Sequence, residues 1–310
     1  MSRFWDNLFS KNGLAAKEIA KKLIDFEEGA RIPRVSDLAK EMNIGNGTVQ
    51  GALKVLGEVH AIKLESRGHL GTFLIKKDNF ILKEVAGVGS LIGAMPLPYS
   101  AKYEGFATGI MKVSEDLLDR IDLAYMRGSK QRLDTLKSRR YDFVVMSQLA
   151  AEEELKSNAN LEIILNFGKQ SYVTAHRIFF ANEKHRKITE GMRIGIDYTS
   201  TDQSKITLLE CEGIDVELIS VNYMQLFEML LRGDLDAAVW NSDEHRAREA
   251  FNTGEFQSAK AKKVADKASA SVILIEKKRT EVKDYLLKLD KEKILVIQEK
   301  VVNKEMFPQY

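Results

Sequence analysis

The chain has 310 residues, of which 44% are hydrophobic and 30% are charged, and its net charge is +2 at pH 7. No apolar run approaches the roughly 18 residues that a membrane-spanning helix needs, and the N-terminus lacks the apolar core and cleavage site of a secretory signal. The single cysteine, Cys211, excludes an internal disulfide. These features predict a cytoplasmic protein, without a membrane partner, that contains two or three packed units.

The first part of the chain predicts three short helices. Apolar side chains recur at helical spacing through residues 14–26, which predicts the first helix. Ser36 is predicted to cap a second helix, because its hydroxyl suits the N-cap position. Asn43 and Gly45 are candidates for left-handed backbone in the turn that follows, and Thr48 is predicted to open the third helix.

A β-hairpin is predicted after the third helix, because the runs "AIKLES" and "TFLIKK" alternate apolar and polar residues around the turn "RGHLG". Helix, helix, tight turn, helix, hairpin is the order of a winged helix-turn-helix, whose third helix can lie in the major groove of DNA. The stretch "RIPRVSDLAKEMNIGNGTVQGALKVLGEVHAIKLESRGHLGTFL" resembles the DNA-binding domain of GntR-type regulators, which implies DNA binding. A module of three helices can also mediate protein interactions, and that alternative stays open.

The candidate DNA contacts depart from the GntR pattern in one respect. Where such proteins carry arginines at the start of the recognition helix, this chain has Gly45, Asn46 and Gln50. Asparagine and glutamine pair with adenine, whereas arginine pairs with guanine. Residues 1–80 contain 13 lysines and arginines against 10 acidic residues, a net charge of +3, so non-specific affinity should be modest and salt-sensitive. The predicted DNA-binding residues, each of which could instead be plain polar surface, are Arg34, Asn46, Thr48, Gln50, Lys54, Arg67 and His69.

From about residue 90 the pattern changes to strands that alternate with helices. Two passages, one before residue 150 and one after residue 190, share the order strand, helix, strand, helix, strand. Each third strand follows an aspartate, in "RRYDFVVMSQ" and "RGDLDAAVWNS". This repetition predicts two α/β lobes with mainly parallel sheets and right-handed crossovers. An extended segment is predicted between the lobes, "SASVILIEKK" is predicted to return the chain, and two terminal helices near 279–289 and 291–300 are predicted to cover the outside.

Two such lobes around a cleft form the periplasmic-binding-protein type 2 fold. The predicted fold class is therefore α+β and multi-domain, with a winged helix-turn-helix followed by a two-lobed α/β domain of this type. The predicted domains are residues 1–80 and 81–310, with lobe one at about 88–165 plus the C-terminal return and lobe two at about 183–265. The segments "AMPLPYSAKYEGFATGI", "AYMRGS", "YDFVVMSQLAAE", "GDLDAAVWN" and "FPQY" resemble the YhfZ family of GntR-like transcriptional regulators. This resemblance implies a DNA-binding head and an effector-binding domain, and it names no ligand.

Candidate ligand contacts follow from the topology, because ligands of such sheets bind beyond the carboxyl ends of the strands. Pro96 and Pro98, two of only four prolines, are predicted to stiffen the first strand-to-helix turn, which Ser100 would cap. A stiff connection without ligand contact is the alternative. The polar run "YTSTDQS" stands at a helix start, where backbone amides favour anions, although simple capping would also explain it.

Arg127 is the most informative charge in this region, because an arginine can clamp a carboxylate or phosphate with two hydrogen bonds. An ion pair with Glu104 or Asp202 is the alternative for it, and Trp240 is predicted to belong to the core. The candidate ligand-binding residues are Pro98, Tyr99, Tyr103, Glu104, Arg127, Gly128, Ser147, Gln148, Thr199, Ser200, Thr201, Asp202, Gln203, Asn241 and Ser242.

The sequence contains none of three motifs that are typical of enzymes. It has no Gly-rich nucleotide loop, no histidines at metal-ligand spacing and no nucleophile elbow. We therefore expect no catalytic residue, no metal and no cofactor. The predicted function is a bacterial GntR-like regulator that binds a double-stranded DNA operator as a homodimer and responds to a small polar or anionic effector in the interlobe cleft. The alternative is a small-molecule-binding protein or an enzyme of this fold whose N-terminal module mediates protein interaction.

Overall fold

The computed structural model describes residues 10–87, 91–117, 121–244 and 251–310. The chain divides into two compact units, Met1–Ser90 and Leu91–Tyr310. The domain limits 1–80 and 81–310 stay a prediction, and residue 88, the predicted start of lobe one, lies outside the described residues.

The first unit contains three helices, a hairpin and a fourth helix. Its elements are α1 (Lys11–Ile24), α2 (Val35–Met42), α3 (Asn46–Glu58), β1 (Ile62–Ser66), β2 (Thr72–Lys77) and α4 (Asn79–Ala86). β1 and β2 pair antiparallel through a short 3-10 turn at Gly68–Leu70. Ile19, Leu38, Leu56 and Leu74 are fully buried, so the hairpin shares one apolar core with the helices. The predicted order of helices and hairpin is confirmed.

The helix ends near the turn differ from the prediction. Arg34, not Ser36, is the N-cap of α2, because the Arg34 carbonyl already accepts the first helical hydrogen bonds. Asn43 has a left-handed φ of 54° and ends α2, as predicted. Gly45 is instead extended, with φ −74° and ψ 149°, which is the geometry of an N-cap. Helix α3 therefore begins at Asn46, two residues before Thr48.

Lobe one of the second unit is built around a five-stranded sheet in the order β4-β3-β5-β12-β6. β3 is parallel to β4 and β5, and β12 is antiparallel to both of its neighbours, so one strand runs against the other four. The elements of this lobe are β3 (Leu91–Met95), α5 (Ala101–Asp116), β4 (Ile121–Tyr125), α6 (Ser129–Lys137), β5 (Phe143–Ser147), α7 (Gln148–Ser157), β6 (Leu161–Asn166) and β12 (Ser271–Glu276).

Lobe two repeats this arrangement with the order β11-β7-β10-β8-β9, in which only β7 runs against the others. Its elements are β7 (His176–Phe180), β8 (Arg193–Ile196), α8 (Thr201–Glu210), β9 (Glu217–Ser220), α9 (Tyr223–Arg232), β10 (Ala237–Asn241), β11 (Asn252–Gly254) and α10 (Ala259–Ala268). The chain passes between the lobes twice, from β6 to β7 and from β11 to β12. The predicted extended segment is thus divided into two strands, one in each sheet. Two lobes of related design are confirmed.

The terminal helices α11 (Thr280–Leu286) and α12 (Lys291–Val302) pack on lobe one. α12 approaches α5 closely because Gly105 and Gly109 face its backbone. A Cβ atom at either glycine would lie 2.7 Å from a carbonyl oxygen of α12, that of Gln298 or Ile294. The glycines of "YEGFATG" therefore permit this contact. Among the described residues, no helix is both long and apolar enough to cross a membrane.

Candidate functional site

A cavity of about 80 Å³ lies between the two lobes, at the carboxyl ends of the parallel strands. Nine of the predicted ligand-binding residues line it: Tyr99, Tyr103, Arg127, Gly128, Thr199, Ser200, Asp202, Gln203 and Asn241. The rule that ligands bind where strands end and helices begin therefore brings residues from both lobes to one place. Their roles in ligand binding stay predictions.

Six predicted residues do not line the cavity: Pro98, Glu104, Ser147, Gln148, Thr201 and Ser242. Several of them have structural partners. Ser147 caps α7 and also donates a hydrogen bond of 2.6 Å to the Asp202 carboxylate. The Thr201 hydroxyl lies 3.3 Å from that of Ser129 across the cleft, and the Glu104 carboxylate lies 3.3 Å from the Tyr310 hydroxyl.

Aromatic rings from both lobes form one wall of the cavity. Tyr99 makes an edge contact with Tyr103, with ring centroids 5.2 Å apart, and reaches Tyr223 of lobe two at 6.0 Å. The Tyr223 ring stacks on Trp240 at 5.4 Å with an interplanar angle of 7°. Trp240 is 7% exposed and belongs to the core, as predicted, and it also lines the cavity. Ser100 caps α5 by accepting a hydrogen bond from the Tyr103 amide.

Arg127 forms an ion pair across the cleft, but with neither of the two partners that the alternative named. Its Nη2 lies 3.5 Å from Oδ2 of Asp197, and its guanidinium lies over the Tyr223 ring at 5.0 Å. Asp197 directly follows β8 and is almost fully buried. Its carboxylate also accepts hydrogen bonds from the amide and hydroxyl of Thr199, at 2.9 and 2.6 Å. The Arg127 charge thus has an ion-pair partner on the opposite lobe.

Arg132, in the first turns of α6, is a second guanidinium in the cavity wall and is only 3% exposed. Its Nη1 donates to the Met126 carbonyl oxygen at 2.9 Å, and its Nη2 donates to the Tyr172 hydroxyl at 3.1 Å. Its Nε has no hydrogen-bond partner, and no carboxylate of the described residues lies within 4.0 Å of it. Both of its hydrogen-bond partners are neutral, so within the described part of the chain this buried charge has no ion-pair partner.

Two further titratable groups line the cavity. Burial raises the pKa of the Asp202 carboxyl to about 6, although the Ser147 hydrogen bond and the Arg132 charge both oppose the shift. Burial also lowers the pKa of His176 to about 4, so its imidazole is neutral at physiological pH. Nδ1 of His176 and Nε1 of Trp240 have no hydrogen-bond partner within the described part of the chain. Several buried polar atoms of the residues that line the cleft therefore have no partner among the described residues.

The sequence left several residues of the cavity wall unidentified. Asp197 ends a strand and Tyr223 opens a helix, so the rule used for the other candidates applied to both. Arg132 carried no such signal, because α6 reads as a polar surface helix. Tyr172 and His176 lie at the crossover between the lobes, where only the tertiary structure shows their positions. The remaining residues that line the cavity are Pro96, Leu97, Met126, Ser129 and Val173.

The helix-turn-helix presents a separate candidate surface. Asn46, Gln50 and Lys54 are exposed on α3 at intervals of four residues and so share one face. Lys54 lies 3.7 Å from the Glu58 carboxylate on the same helix. Thr48 is half-buried, whereas Arg34, Arg67 and His69 are exposed, and Arg67 donates to Glu65 and lies over the Phe73 ring. Their DNA contacts stay predictions.

The architecture of the second unit, two α/β lobes with two crossovers around a cleft, is that of the periplasmic-binding-protein class of folds. An ancestral arginine-binding protein bound to arginine has this fold, with a TM-score of 0.51 and 15% identity over 70% of this chain and 97% of its own. At that identity the likeness shows the fold alone. Together with the helix-turn-helix, it confirms the predicted fold class.

The chain belongs to the YhfZ family. The family model described as YhfZ C-terminal domain matches residues 78–310, and a helix-turn-helix domain model matches residues 27–74. The uncharacterized protein YhfZ of Escherichia coli strain K12 is 31% identical over 97% of this chain and 98% of its own. The crystal structure of YhfZ from Shigella flexneri has a TM-score of 0.60 and 30% identity, and the match covers 72% of this chain and 94% of that one. The predicted family is confirmed.

Proposed function

We propose that the protein is a bacterial GntR-like transcriptional regulator that binds operator DNA through its helix-turn-helix and responds to a small polar or anionic effector in the interlobe cleft. The observation that carries this proposal is the presence, in one chain, of a helix-turn-helix and a two-lobed domain whose cleft is lined by buried polar groups without partners among the described residues. On this proposal the protein is cytoplasmic and is not an enzyme. The residues proposed to read bases are Asn46, Thr48 and Gln50, and those proposed to contact phosphates are Arg34, Lys54 and Arg67.

Four contacts that cross the cleft supply a physical basis for a response. They are the Ser147–Asp202, Ser129–Thr201 and Tyr99–Asn241 hydrogen bonds and the Arg127–Asp197 ion pair. An effector that binds between the lobes changes the balance between closed and open forms only if its affinity for the two forms differs. Regulation would then be the effect of this balance on the DNA-bound state.

We further propose that the protein acts as a homodimer. Operators read by helix-turn-helix proteins contain two half-sites about 34 Å apart, which two copies of the recognition helix occupy. A symmetric dimer supplies those two copies.

Fluorescence anisotropy with the full chain tests the DNA-binding part of the proposal. Labelled DNA from upstream of the gene and a scrambled control would be titrated at low and near-physiological salt. We expect a preference for the upstream DNA that survives added salt and is reduced by Gln50→Ala. The same substitution at Gln309, which is exposed in the second unit, should have no effect. Equal binding to both DNAs that disappears with salt would contradict the proposal.

A further inference from the structure

Arg132 occupies an unusual position for a charged residue. It is almost fully buried, and its two hydrogen bonds go to the Met126 carbonyl and the Tyr172 hydroxyl, neither of which carries a charge. A guanidinium removed from water without a negative partner is costly for the fold. Asp202 is close enough for its pKa to respond to this charge, yet it lies beyond ion-pairing distance. The cleft thus contains a cation for which the described residues supply no partner.

Two buried side-chain atoms of residues that line the cavity have no hydrogen-bond partner among the described residues, and both can only donate. Nε of Arg132 and Nε1 of Trp240 each carry a hydrogen, and neither side chain can accept a hydrogen bond. They belong to different lobes, and both residues line the same cavity. A molecule that satisfied them would have to present acceptor atoms.

The surrounding backbone favours negative charge as well. Helices α6 and α8 both begin at the cavity, where the hydroxyls of Ser129 and Thr201 lie 3.3 Å apart. The amino end of a helix carries partial positive charge. Arg127 and Asp197 form an ion pair, so the remaining charged groups of the cavity wall are Arg132 and Asp202, which lie beyond ion-pairing distance of each other.

We propose that Arg132 is the anion subsite of the cleft and that the effector is a small organic acid whose carboxylate binds this guanidinium. A carboxylate matches the planar donor edge of a guanidinium. It also brings a single negative charge, whereas a phosphate would bring more charge toward Asp197 and Asp202. This inference rests on the proposed ligand-binding role of the cleft, and it needs no assumption about DNA.

Trp240 provides a direct reporter for the test. The chain has two tryptophans, Trp5 and Trp240, and Trp5 lies outside the described residues. In the full chain with Trp5→Phe, all tryptophan emission comes from the cleft. Short mono- and dicarboxylates would be titrated at constant ionic strength, each beside its neutral amide, such as succinate beside succinamide. Inorganic phosphate forms a separate arm.

We expect at least one carboxylate to change the Trp240 emission saturably while its amide does not. Arg132→Met should weaken that response about tenfold or more. Arg132→Lys keeps the positive charge but lacks the planar guanidinium, so it should weaken the response less. This variant provides the test if Arg132→Met does not fold. Arg140→Met, at an exposed arginine of the same lobe, is the matched control and should leave the response unchanged.

Three results would overturn the inference: no carboxylate acting beyond its amide, a response that Arg132→Met and Arg132→Lys leave intact, or a response to phosphate alone. The failure of this inference is separable from failure of the proposed function. A chain that binds operator DNA but no carboxylate would refute only the inference. A chain that binds a carboxylate but no DNA would refute only the proposed role as a transcriptional regulator.

Discussion

Replacement of Asp202 by asparagine should stabilise the folded chain at neutral pH. Burial raises the pKa of this carboxyl from 3.8 to about 6, a shift of roughly two units, at 1.36 kcal/mol per unit. The stability that this carboxyl contributes is fully present below its pKa in the unfolded chain. It is lost as pH rises through its pKa in the folded chain. Ionised Asp202 therefore costs about 3 kcal/mol at neutral pH. Asparagine has no charge and can still accept the hydrogen bond from Ser147.

The free energy of unfolding of wild type and of Asp202→Asn would be measured in urea at about pH 5 and about pH 8. The difference between the two proteins isolates the contribution of Asp202, because the contributions of the other titrating groups cancel. We expect Asp202→Asn to gain stability relative to wild type as pH rises. Asp236 provides a control of opposite sign, because the bidentate hydrogen bonds from Arg193, at 3.1 and 2.9 Å, lower its pKa. Asp236→Asn should destabilise at neutral pH, and the loss should shrink as pH falls. A difference for Asp202→Asn that does not change with pH would refute the reasoning.

Three further predictions follow from packing, the recognition helix and the buried thiol. Gly105→Ala should cost about 1–3 kcal/mol in urea unfolding, because its Cβ would lie 2.7 Å from the Gln298 carbonyl oxygen, whereas Gly57→Ala, with open space around it, should not destabilise. In DNA titrations, Gln50→Ala should reduce the preference between sequences, whereas Lys54→Ala should weaken binding to all DNAs and lower the salt slope by about one. Burial raises the pKa of the Cys211 thiol to about 11, so it should react with a thiol reagent at neutral pH only on unfolding. Unchanged stability of Gly105→Ala would contradict the first prediction, and unchanged base preference of Gln50→Ala would contradict the second. Rapid labelling of Cys211 in the folded chain would contradict the third.

The fold was predictable because local sequence patterns indicate most of its helices and strands. "YDFVVMS" contains the central strand β5, whose residues are all buried, and an unbroken apolar run is the signature of such a strand. Strand β12 could be placed as a return of the chain, but its antiparallel position between β5 and β6 depends on contacts across more than 100 residues. The start of α2 was misplaced because serine suits an N-cap, whereas the backbone puts Arg34 there.

The candidate site was predictable where it follows strand ends and unpredictable where it depends on the approach of the lobes. Tyr99 and Asp202 were placed by the strand-to-helix rule alone. For Arg127 the alternative to ligand binding was an ion pair with Glu104 or Asp202, yet the lobes bring it to Asp197. Arg132 could not be found at all, because an arginine in a polar helix looks like a surface residue until the tertiary structure shows that it is buried.

The central claim is that the state of the cleft controls DNA binding, and it can be tested before any effector is known. The hydroxyls of Ser129 and Thr201 lie 3.3 Å apart across the cleft, so Ser129→Cys with Thr201→Cys should allow a disulfide that holds the lobes closed. The affinity of this variant for upstream DNA would be measured by anisotropy in oxidised and reduced form, with wild type as the control for oxidant. We predict different affinities for the two forms and one affinity for wild type. Equal affinity of the cross-linked and reduced chains would contradict the account.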